Sequence, residues 1–191
     1  MEPEIAIKLL ALCFQSATVF TIYYGLTSSI GDLGLPSIQL NGILMGCTQM
    51  IGYLGVSIYG PQLPRIKTSR LLLSTEIAGA CLLLYTSYCK QSPFCLILQS
   101  VVSTLWMTTA VSAHMAILYT QIAENFPTEI RGLACAVVLL FGKLSGATAP
   151  FIEEYTKNIG VHVMVGCTAM ALVALPMTGL LGETLGNKKM I

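Results

Sequence analysis

Lys143, His114 and Gln49 each stand in the middle of a long apolar run, where a polar or charged side chain is costly and is kept for a reason. A lysine ammonium at such a depth attracts an anion or a buried carboxylate. A histidine can pass a proton near neutral pH or simply donate a packing hydrogen bond, and a glutamine amide can hold a solute or tie two helices together. Both uses stay open for each residue; for Lys143 they are a wet anion site or an ion pair in a packed interface. No residue set offers catalysis. The chain has no phosphate loop, no activated nucleophile and no Cys/His ligand spacing, so it reads as a non-enzyme with no cofactor and no metal. Its seven cysteines sit mostly in apolar runs as small packing residues, although Cys89 and Cys95 flank a short connector that a disulfide could bridge.

The elements that must carry these side chains follow from composition. Hydrophobic residues make up 54% of the chain and charged ones 10%, against about 25% charged in soluble domains. Too few charges remain to coat a globule. Apolar spans run at about 9–27, 42–60, 71–89, 94–119, 132–152 and 161–181, each near the ~20 residues that cross a bilayer as a helix. They are continuously apolar rather than alternating, which favours helices over a barrel. The expectation is an all-α polytopic membrane protein, residues 1–191 forming one domain of six transmembrane helices. Lys143 lies about 18 Å past Arg131 on such a helix, close to mid-bilayer.

Basic residues set the orientation. The N-terminal tail, the second and fourth connectors and the C-terminal tail hold Lys8, Arg65, Lys67, Arg70, Arg131, Lys188 and Lys189, whereas the other connectors hold Lys90 and Lys157. Both termini therefore face the cytoplasm or its organellar equivalent. The absence of an N-x-[ST] sequon leans towards an internal membrane. A net charge of +1 gives no basis for nucleic-acid binding. Glu76, inside the third span, needs a cationic partner near the cytoplasmic face; Asp32, Glu153 and Glu154 fall in the opposite connectors and read as solvated. Gly42/Gly46 and Gly142/Gly146 place small residues on one helix face for close helix contact, within the bundle or with a partner. Pro150 should bend the end of its helix.

The polar connector Tyr119–Arg131 reads YTQIAENFPTEIR. Its Glu124, Pro127, Thr128 and Arg131 resemble the Y-T-x-E-x-[FY]-P-T-x-x-R loop between helices ten and eleven of the organic cation/anion transporter branch of the major facilitator superfamily, with Gln121 and Ile122 inserted. Tyr23-Tyr24-Gly25-Leu26 is similar to the sequence closing helix seven of that family, and Gly182–Gly186 to its P-E-T-x-G tail. The resemblance implies helices seven to twelve, the C-terminal half of a twelve-helix transporter, with the partner half absent. It also implies that Glu124 and Arg131 tie helix ends together. At Lys143 the anion-transporting members carry Arg and the cation-transporting members Asp, while Gln49 replaces a common acidic residue.

The second connector, Pro61–Arg70, keeps the basic Arg65 and Lys67 but lacks the Asp and tight-turn Gly of the family's latch. Two functions remain open on this basis. One is transport of a small organic ion, an anion by preference, through a path lined by Lys143, Gln49 and His114, with a second copy or a separate N-terminal half as partner. The other is a non-transporting accessory subunit in a larger, perhaps organellar, membrane complex.

Overall fold

The computed structural model describes residues 3–28, 38–88, 93–159 and 164–181. Among them the chain is helical with no strand: α1 (Pro3–Ser28), α2 (Ile38–Tyr59), α3 (Arg65–Tyr88), α4 (Pro93–Val101), α5 (Thr108–Asn125), α6 (Thr128–Ile159) and α7 (Met164–Met177). A π-helical stretch, Val102–Met107, joins α4 to α5, so the two form one rod and the rods number six. Five are long and apolar enough to cross a membrane, and Met164–Leu180 is a shorter apolar helix. The chain is a multi-pass integral membrane protein. Asp32, Cys89, Lys90 and the 182–186 tail motif lie outside the described residues.

The helices outrun the apolar spans because their ends are set by local chemistry rather than by hydropathy. Most of the polar connector after Tyr119 is helical as far as Asn125; the break is confined to Phe126 and Pro127. Proline disfavours helical geometry in the residue before it, and Phe126 is extended at φ −118°, ψ 137°. The Pro127 carbonyl then accepts from the Ile130 and Arg131 amides at 3.2 and 3.0 Å, starting α6, and Arg131 Nε donates back to the Phe126 carbonyl at 3.3 Å. Helix α6 also continues through Pro150. Its extension buries Glu153, which is 6% exposed, so the expectation of a solvated Glu153 is corrected.

Helices α1 and the α4–α5 rod are central, with 56% and 67% of their apolar windows buried; α2 and α6 are peripheral at 17% and 22%. One apolar cluster joins α1, α3, α5 and α7 through Val19, Leu73, Val111 and Ala171. A second joins α1, α5 and α6 through Leu12, Leu118 and Val138.

Small residues set the closest approaches. Gly142 lies against Ser16 and Phe20 of α1, and Gly146 against the Tyr24 ring, with Thr21 Oγ1 and Ser145 Oγ 2.5 Å apart in the same seam. Gly42 and Gly46, in contrast, face open space. The contact expected of them within the bundle is absent, because α2 packs on α5 through another face: Gly52 meets the Thr109 carbonyl, and Thr48 Oγ1 donates to the Thr104 carbonyl at 2.8 Å. A π-helical stretch shifts the backbone ladder, and Thr104 within it is the acceptor that Thr48 uses.

Candidate functional site

Four helices contribute to one open face. Tyr23 and Tyr24 on α1 meet edge to face at 5.2 Å between ring centroids. Gln49 on α2 donates to the Tyr23 hydroxyl at 3.4 Å, and Tyr53, one turn on, donates to Met115 Sδ of α5 at 3.7 Å. Tyr119 of α5 is within electrostatic reach of Tyr53, of Tyr24 and of Cys135 on α6. Tyr24, Tyr53 and Tyr119 keep 38–42% of their surface open. Rings with hydroxyl tips present both an apolar body and a polar end, a suitable lining for organic solutes.

Lys143 belongs to the same flank. At about 100° per residue, Cys135, Gly146 and Lys143 lie within an arc of about 80° on α6. Gly146 lies against Tyr24, and Cys135 is within electrostatic reach of Tyr119. Lys143 is exposed beside them, so the chain does not fold its ammonium into a packed interface of its own. Near the Arg65 end of this face is a cavity of about 290 Å³ bounded by Tyr53, Ser57, Arg65 and Thr120.

His114 does not line this face. It is fully buried between α1, α3 and α5, with Nδ1 2.9 Å from Glu76 Oε1 and Nε2 2.8 Å from Gln15 Nε2 and 3.2 Å from Ser69 Oγ. Its expected place beside Lys143 and Gln49 is therefore corrected. Glu76 finds its partner in His114, inside the bundle rather than at the cytoplasmic face. The sequence gives both residues as isolated intramembrane polar groups; only the packing of α3 on α5 joins them.

At the opposite end of α3 the basic connector does more than anchor. Arg65 forks onto Glu124, with Nη2 2.8 Å and Nε 3.1 Å from its carboxylate oxygens, and Arg65 Nη1 donates to the Gly60 carbonyl. The pair joins the start of α3 to the end of α5, so Arg65 is more than a membrane anchor although the Asp and the tight-turn Gly of the family's latch are absent. Lys67 is exposed on the next residues of α3. A double-mutant cycle of Arg65→Gln and Glu124→Gln, read from thermal unfolding in lipid nanodiscs, should give a coupling of about 1–2 kcal/mol, since the charges are forked but Glu124 remains partly open. Additive single changes would reduce the pair to a surface contact.

No family model matches the chain. It is 26% identical over 189 residues to a Drosophila melanogaster protein named "Organic cation transporter-like protein", covering 99% of this chain and 32% of that one. A second Drosophila melanogaster protein, "Organic cation transporter protein", is 25% identical over 188 residues, with 98% and 33% covered. "Solute carrier family 22 member 15" of Xenopus tropicalis is 34% identical over 134 residues, 69% of this chain and 25% of the relative. The chain is a relative of the organic cation transporters. It spans a quarter to a third of the length of these relatives. These transporter relatives are not enzymes, and the Tyr119–Arg131 connector of this one carries the residues by which the resemblance is first visible.

Missing from the sequence-based set were Tyr53, Gln15 and the Glu76–His114 link. Tyr119 was visible only as part of the connector, and Tyr23 and Tyr24 only as the end of a helix.

Proposed function

We propose that the chain forms one wall of a translocation path for a small organic ion, preferably an anion, and works against a second membrane-embedded half that covers its open face. The observation that carries this is the face itself: Tyr24, Tyr53, Tyr119 and Lys143 are left open at the depth where apolar packing is the rule. An uncovered lysine there needs water, a solute or a partner. Transporters of this kind hold the solute between two halves that move against each other. The names of two of the relatives speak of cations, while Lys143 brings a positive charge to this face and Gln49 on α2 is neutral; the local chemistry supports the anion. Uptake of an organic anion, competed by other anions and not by organic cations, tests the preference. Competition by cations alone would reverse it.

We further propose that the chain lies with both tails on the cytoplasmic side, or its organellar counterpart, because Arg65, Lys67, Arg70 and Arg131 share one end of the bundle with the start of α1 and the stretch after α7 up to Leu181. Cysteine labelling after Thr68→Cys and after Ser92→Cys should report opposite sides of the membrane. Labelling from one side for both would remove the orientation.

A further inference from the structure

The buried cluster around His114 has more acceptors than donors. Gln15 Nε2 carries two protons and faces Ser69 Oγ at 2.5 Å, His114 Nε2 at 2.8 Å and Gln121 Oε1 at 3.3 Å, while the Ser69 hydroxyl, 3.2 Å from His114 Nε2, can donate there in its place. Gln15 Oε1 and Glu76 Oε2 have no hydrogen-bond partner, and their residues are 1% and 0% exposed. His114 uses Nδ1–H towards Glu76 Oε1, which leaves Nε2 as an acceptor in this arrangement. The cluster is short of protons.

The surrounding helices do not supply the missing charge. Lys8 and Cys13 on α1 and Cys167 on α7 make no bond to the pair; Arg65 is engaged with Glu124, and Arg70 Nε donates to Thr178 Oγ1 at 3.0 Å. Arg65 reaches the cluster only through its carbonyl, which accepts from Gln121 Nε2 at 3.4 Å. Without a further proton, an ionised Glu76 beside a neutral imidazole leaves one negative charge in the bundle interior with no cation bonded to it. One added proton makes the pair neutral overall, the state that burial favours.

The geometry points to a proton-binding site formed by His114 and Glu76, with the Gln15 amide turning over to receive the proton. The proton comes from water and adds to His114 Nε2; no other bond forms or breaks. The imidazolium keeps Nδ1–H on Glu76 Oε1. Rotation of the Gln15 amide brings its unpaired Oε1 to Nε2–H, and Gln121 Oε1 loses its donor. Loading and unloading the site therefore rearranges the contact of α1 with α3 and α5.

The nitrogen resonances of His114 test this in the full chain in lipid nanodiscs. The chain has two histidines, so His162→Asn leaves a single imidazole. In a pH series His114 is expected to pass between a form with protons on both nitrogens and a form that keeps only Nδ1–H. Glu76→Gln should leave it with one proton across the same series, because the carboxylate that balances the imidazolium is gone. A single proton on His114 from about pH 5 to about pH 8 would overturn the site and leave buried water as the filler of the unpaired acceptors. The pH series on the chain with Glu76 intact decides this even if the glutamine variant fails to fold. The readout is a resonance and not uptake, so the proton site and the translocation path stand or fall separately.

Discussion

Lys143→Ala is expected to abolish the proposed uptake of organic anions while the chain still inserts and folds. Lys143 is exposed on α6 and makes no hydrogen bond or ion pair among the described residues, so its removal takes nothing from the bundle. Taking a charge out of the midplane makes insertion easier, not harder. An anion held between the halves, in contrast, would lose the positive charge that Lys143 gives this wall. Truncating one side of a desolvated charge pair commonly costs at least about tenfold and often more than a hundredfold in binding. Lys143→Arg should keep a larger share of uptake than Lys143→Ala, since the charge persists although the guanidinium is broader and plane-shaped. Equal uptake by the alanine variant and the unchanged chain, at matched surface or membrane amounts, would exclude Lys143 from the path.

How far such a site was visible beforehand depends on whether its cause is local. The six rods follow from continuous apolar length, and the turn at Pro127 from a proline that disfavours helical geometry in the residue before it, so both are readable along the chain. Lys143 was singled out by its depth, which needs only the helical rise. Its flank was not readable, because that depends on Gly146 meeting Tyr24 across the α1–α6 seam. The partner of Glu76 lies 38 positions away on another helix and the partner of Gln15 lies 99 away. Spacing along one helix carries no information about such a pair. Arg65 shows the converse: the family pattern suggested a lost latch, yet a forked guanidinium finds Glu124 once α3 and α5 lie side by side.

The glycines show the same limit most sharply and lead to opposite expectations for one kind of substitution. Gly42 and Gly46 share a helix face by spacing, which made them the natural packing pair, yet a Cβ at either meets nothing within 4 Å. Gly52 has no glycine four positions away, yet its Cβ would sit 2.6 Å from the Thr109 carbonyl and 3.0 Å from the Ser112 Cβ. A backbone carbonyl cannot swing aside as a side chain can, so Gly52→Ala must push α2 away from α5 and loosen the Thr48–Thr104 bond. Overpacking of this kind costs about 1–3 kcal/mol, more than the ~1 kcal/mol that alanine returns in helix propensity. Gly46→Ala meets no such obstacle and should stabilise the purified chain by up to about 1 kcal/mol. Gly79→Ala falls between them, because its neighbour is the flexible Met107 side chain, whose sulfur lies against the added carbon but can move. Thermal unfolding of the three variants in lipid nanodiscs should rank them Gly46→Ala above Gly79→Ala above Gly52→Ala. If Gly52→Ala matched Gly46→Ala, the α2–α5 approach would be looser than drawn. If Gly46→Ala lowered stability in the purified chain, a copy or partner would already be seated on the α2 face, the cover that the open side of this bundle calls for.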